Sequence, residues 1–184
     1  MNEKRTTLTL ILAFIFLSVS AGVICGSRKN KLEAYADSEG YAVLSRLLDS
    51  DAKGWKNTVI RLDGLTVSRT EMAHGESLRA CTELPVEFQA AAKDFEDKTQ
   101  QRLALRKMFT TKVHYSVLRE KKAVPDGISG GVYHVSPVGF DQDKTHGIAF
   151  IDYVCGGLCG AGSFNLMVKD ASGWEYVGGC SWQY

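Results

Sequence analysis

Residues 153–164 read Tyr-Val-Cys-Gly-Gly-Leu-Cys-Gly-Ala-Gly-Ser-Phe, two cysteines and four glycines within twelve positions. The stretch lies between the continuous apolar run Gly147–Val154 and the alternating run Phe164–Lys169, each of strand composition. Two such runs joined by a short glycine-rich link predict an antiparallel hairpin, with the glycines supplying positive φ angles and close backbone approach. Asp170–Gly173 then turns the chain again, and the last run places Trp174, Tyr176, Cys180 and Trp182 at alternate positions, predicting one buried face. The C-terminal part of the chain is therefore expected to be a meander.

The earlier chain carries helical signals. Ser38 is the expected N-cap of a first helix, with Tyr41, Leu44 and Leu48 on one face, Val43 and Leu47 widening the stripe, and Gly54 at or beyond its end. Pro85 followed by Phe88, Ala91, Ala92 and Phe95 predicts a second helix, resuming after a break through Leu103 to Phe109. Between them Asn57–Leu62 reads as a strand, and Asp63-Gly64 as a turn into a second strand at Leu65–Arg69, an early hairpin. Lys112–Leu118 and Gly131–Val135 are further strands. Helices early and strands late make the fold class α+β: two or three helices and an antiparallel sheet of about five to seven strands. A chain of 184 residues suits one domain, placed at 38–184.

Lys4 and Arg5 precede the apolar run Leu8–Leu17, and small residues follow it, which is the order of a secretory signal peptide. Val19 and Ala21 favour cleavage after Ala21. The alternative is an uncleaved anchor, because Thr6–Ser27 is uncharged and Arg28, Lys29 and Lys31 follow it. Residues 1–27 are thus signal peptide or anchor, and 28–37 a polar tether. Either version exports the rest of the chain to a periplasmic, secreted or outward-facing anchored position. Export permits disulfides, and Cys81, Cys155, Cys159 and Cys180 allow three pairings. We favour Cys155 with Cys159 across the glycine link, which a hairpin brings together, and Cys81 with Cys180. Composition argues against nucleic acid as a partner, since 22 Lys and Arg balance 21 Asp and Glu. A membrane would be met only through the N-terminal segment, if uncleaved.

The segments Tyr41–Leu48, Val59–Leu62, Leu84–Phe95 and above all Tyr153–Phe164 resemble a group of uncharacterised exported bacterial proteins. That group shares an early helix, a Leu-Pro-led second helix and a Tyr-X-Cys-Gly-X-Leu-Cys-Gly-X-Gly signature ahead of Gly-X-Trp, where this chain has Ser172-Gly173-Trp174. The resemblance implies location and architecture; it carries no activity and no catalytic residues. Cys81 and Cys180 lie outside the signature, which fits their pairing with each other.

The glycine link is the first candidate site. Gly156, Gly157, Leu158, Gly160 and Gly162 would present backbone N–H groups as a binding loop, with Leu158 its one large apolar side chain. The competing reading is a disulfide-closed turn between buried strands. A nucleotide-phosphate loop is excluded, because no lysine follows the glycines and a strand, not a helix, comes next. Thiol–disulfide exchange by Cys155 and Cys159 would have three residues between the thiols instead of the usual two, and zinc would need paired Cys-X2-4-Cys motifs. Asp141, Asp143, Thr145 and Asp152 occupy calcium-loop positions, but His146 stands where glycine is required, so a polar turn is expected. The histidines are scattered, and Glu87, Asp94 and Asp97 read as a solvated helix face. No metal or cofactor is implied. The functional expectation is an exported, non-enzymatic module binding a protein or small molecule. The alternatives are a small secreted hydrolase with an unrecognised site, or a thiol–disulfide protein.

Overall fold

The computed structural model describes residues 32–53, 59–72, 78–81, 83–119, 131–156 and 159–183. In chain order the elements are α1 (Ser38–Asp51), β1 (Ile60–Asp63), a short α2 (Leu78–Cys81), a 3-10 turn (Val86–Phe88) running into α3 (Gln89–Lys98), β2 (Tyr115–Leu118), β3 (Val132–Val135), β4 (Gly139–Phe140), β5 (His146–Gly156), β6 (Cys159–Asp170) and β7 (Gly173–Gln183). The fold is α+β with a C-terminal meander. The strands form one sheet in the order β2-β1-β3-β5-β6-β7, with β4 also paired to β5.

The sheet is mixed, not wholly antiparallel. β1 pairs in parallel with β2 along its whole length, from Ile60 opposite Tyr115 to Asp63 opposite Leu118, and in parallel with β3 on its other side. The early hairpin does not form. Beyond Gly64, Leu65 makes only an isolated bridge to Ala104, and the residues read as a resumed second helix instead cross the sheet end as irregular chain.

Two apolar clusters, one on each face, hold the sheet. On one side α1 buries Tyr41, Val43, Leu44, Leu47 and Leu48 against Leu62, Tyr133, Ala149, Ile151, Met167 and Trp174. On the other, Phe88, Ala91, Ala92 and Phe95 of the 3-10 turn and α3 pack on Ile148, Phe150, Phe164 and Leu166. Alternate residues of β5 thus serve opposite cores, as the period of two requires. Burial of a Leu or Phe side chain contributes roughly 1.5–3 kcal/mol, so the helices stay on the sheet through these contacts more than through propensity. The N-cap of α1 is Asp37, not Ser38: its carboxylate accepts from Glu39 N at 3.2 Å and Gly40 N at 3.4 Å. The expected tether is also part of the fold at its far end, where Tyr35 is 3% exposed and hydrogen-bonds through its N–H to Ala104 O.

β7 departs from its expected single buried face. The register with β6 shifts between Leu166 and Met167, so Val177 is extra and the strand changes face. Trp174 joins the α1 core, Cys180 and Trp182 pack on the α3 core, and Tyr176 is 56% exposed. Two residues beyond the extra Val177, Gly179 sits at φ 143° with no room for a Cβ beside the Phe164 carbonyl, a position that only glycine fills without strain.

Candidate functional site

The glycine stretch is largely strand. β5 ends at Gly156 and β6 begins at Cys159, so Gly160 and Gly162 lie inside β6; Gly157 and Leu158 fall outside the described residues. Cys155 and Cys159 are disulfide-bonded with Cα atoms 5.1 Å apart, and Cys155 is 3% exposed. Cys180 is disulfide-bonded as well, whereas Cys81 ends α2 with its side chain outside those described. Two of the glycines have steric reasons: Gly156 sits at φ 143°, and a Cβ on Gly162 would come 2.6 Å from Cζ2 of Trp182.

Beside this hairpin a cavity of about 240 Å³ opens on the α1 face, lined by Asp51, Tyr133, Tyr153, Ser163 and Ser181 among others. Tyr133 donates a short hydrogen bond to Asp51, and burial together with that carboxylate pushes the phenol well above its ordinary pKa. The Asp141–His146 segment is the expected polar turn. Burial would raise the Asp141 carboxyl, but hydrogen bonds from the Thr145 hydroxyl and from the backbone and ring of His146 outweigh it and hold the pKa down to about 2. Asp94 is not merely solvated: it accepts from Phe140 N at 2.8 Å and pairs with Lys98 at 2.7 Å, fixing α3 to β4.

The larger site lies at the other end of the sheet. Because β1 and β2 are parallel, their carboxyl ends arrive side by side, and ligand crevices of open α/β sheets form outside such ends. Arg102–Lys107 crosses there. Leu105 N donates to Gly64 O at 2.9 Å, Thr66 N to Leu103 O at 2.8 Å, and Leu103 N to the Thr66 hydroxyl at 2.8 Å. Tyr41 of α1 reaches the same segment, its hydroxyl accepting from Arg106 N at 2.6 Å. These contacts hold open a groove of about 630 Å³.

Half-buried Leu65, Leu105, Val117 and Leu118 line the groove with Leu32, and its charged lining is Arg102, Arg106, Lys107 and Arg119 with one carboxylate, Asp63. Arg102 is committed: its guanidinium pairs with Asp63 at 3.2 Å and Glu71 at 3.2 Å, and its Nε donates to Thr66 O. Asp63 also faces His134 Nε2 at 3.9 Å, whose Nδ1 lies 3.6 Å from Asp152 Oδ2. A polar row of Asp63, His134 and Asp152 thus runs from the groove across the sheet. Arg106, Lys107 and Arg119 are exposed and make no ion pair among the described residues. Sequence reasoning missed this site because its parts are far apart in the chain. The one local signal was Gln101–Lys107, which has three bases and no acid.

Among the described residues, no group of three or more His, Cys, Asp or Glu side chains is placed to hold a metal ion, and no helix is long and apolar enough to cross a membrane. No family model, curated protein or solved structure matches the chain.

Proposed function

We propose that the protein is an exported, non-enzymatic binding module that holds a small anionic ligand in the groove at the carboxyl ends of β1 and β2. The observation that carries this reading is the set of three exposed cations, Arg106, Lys107 and Arg119, without ion-pair partners among the described residues around a cavity of about 630 Å³. That volume lies within the usual range of small-molecule sites. Their charges are available to an incoming anion, whereas Arg102 is held by Asp63 and Glu71.

Export rests on the Lys4–Ala21 pattern, and the Tyr153–Gly162 signature is the reason for placing the chain beside the exported bacterial proteins it resembles. The groove is a better ligand site than the hairpin tip, since Gly156 and Gly162 already have conformational and packing roles. Thiol–disulfide exchange has less support: Cys155 is buried within a strand, away from the helix N-terminus that usually activates such thiols.

The test is calorimetric titration of the purified chain with acetate and inorganic phosphate, alongside the variant Arg106→Gln/Lys107→Gln/Arg119→Gln. Binding that weakens with salt and is lost in the variant supports the reading. Equal binding by both proteins would sink it. Intact mass of the exported protein tests the first half, with a mature start near Gly22 expected.

A further inference from the structure

The groove presents two chemistries together. Its floor is apolar: Leu65, Leu105, Val117 and Leu118 are half-buried, and Leu105 and Val117 pack on the α1 core, which fixes them in place. Leu32 at its edge is 51% exposed, a large apolar side chain left in water beside that floor. Arg106, Lys107 and Arg119, which make no ion pair among the described residues, are exposed around the same space. A bare inorganic anion would use the cations and leave the floor wet; a neutral apolar molecule would cover the floor and leave the charges unmatched. We propose that the occupant is a single-chain anionic amphiphile, its carboxylate or phosphate head on the exposed cations and its alkyl chain along the leucine-lined floor under Leu32. This rests on the anion-binding reading above and narrows it.

The proposal sets a chain-length dependence. Each methylene that leaves water for an apolar contact is worth about 0.8 kcal/mol, or about fourfold in Kd. Titration with acetate, hexanoate, octanoate and decanoate, all below micelle-forming concentrations, should therefore show Kd falling about tenfold or more for each two carbons added. Decyl phosphate compared with decanoate then identifies the preferred head. Leu32→Ser, at an exposed position that leaves the core intact, should flatten the series without changing acetate binding. Arg106→Gln/Arg119→Gln should weaken every member and keep the slope. If acetate binds as tightly as decanoate, the amphiphile is wrong and the anion reading stands. If 1-decanol binds as tightly as decanoate, the cations are idle and both fall. A series in which no member binds also overturns both.

Discussion

The two ends of the sheet are built on opposite terms. At the β5–β6–β7 end each strand pairs with its sequence neighbour, a disulfide bridges Cys155 and Cys159, and Phe150, Phe164 and Trp182 pack ring against ring with centroids 5.2–5.9 Å apart. At the β2–β1–β3 end the strands are four residues long, their partners are distant in sequence, and three cations stand without ion pairs among the described residues. The first arrangement turns its aromatic side chains inward against one another, at the cost of a buried Trp182 Nε1 that has no hydrogen-bond partner among the described residues. The second leaves charge and half-buried apolar surface around an open groove, which adds little to folding and is suited to a ligand. If the groove binds as proposed, stability and recognition fall at different ends of one sheet.

The largest break in this comparison should come from Phe150→Ala. Phe150 is 1% exposed and contacts both Phe164 and Trp182, so its removal opens a cavity in the α3 core and should cost about 3–5 kcal/mol in denaturant unfolding. A loss below about 1 kcal/mol would mean that the antiparallel end is not the stabilising one. Next is Cys155→Ala/Cys159→Ala. The bridge closes a loop of sequence separation 4, for which the chain-entropy model gives about 2 kcal/mol. A redox role would instead show as lost thiol exchange with unchanged stability.

Asp141→Asn should have a smaller effect, with a pH signature. The folded carboxyl has its pKa lowered to about 2, below the ordinary value of 3.8. Its contribution is therefore present above about pH 4 and disappears as pH falls towards 2. The variant should be about 1 kcal/mol less stable at neutral pH and should converge with the parent in acid. Parallel unfolding curves across that whole range would show that the turn does not depend on the carboxylate.

What was legible in the sequence follows the same division. Alternation through Phe164–Lys169 and the Asp170–Gly173 turn identify a local meander, because each strand's partner is the next segment and the period of two is visible in a few residues. The helix stripe at Tyr41, Leu44 and Leu48 was legible for the same reason. The parallel pairing of Ile60–Asp63 with Tyr115–Leu118 was not, since no local pattern selects a partner so far along the chain, and Asp63-Gly64 looked like a hairpin turn. In β7 the extra residue at Val177 broke an alternation that looked continuous; the Gly178-Gly179 pair was its only trace. Because the groove depends on the parallel pairing, Arg106 and Arg119 could not be brought together from sequence.

The smallest expected effect is the sharpest test of the division. Replacing Arg106, Lys107 and Arg119 together by glutamine removes three like charges that are exposed and make no ion pair among the described residues. Surface substitutions of this kind usually change stability by less than about 0.5 kcal/mol, and relief of mutual repulsion would make the sign stabilising. Unfolding midpoints of the triple variant and the parent should therefore agree closely, while calorimetry should show anion binding lost. A loss of stability comparable to that of Phe150→Ala would show the cations to be structural, and the open end of the sheet would then have no claim to be the binding end.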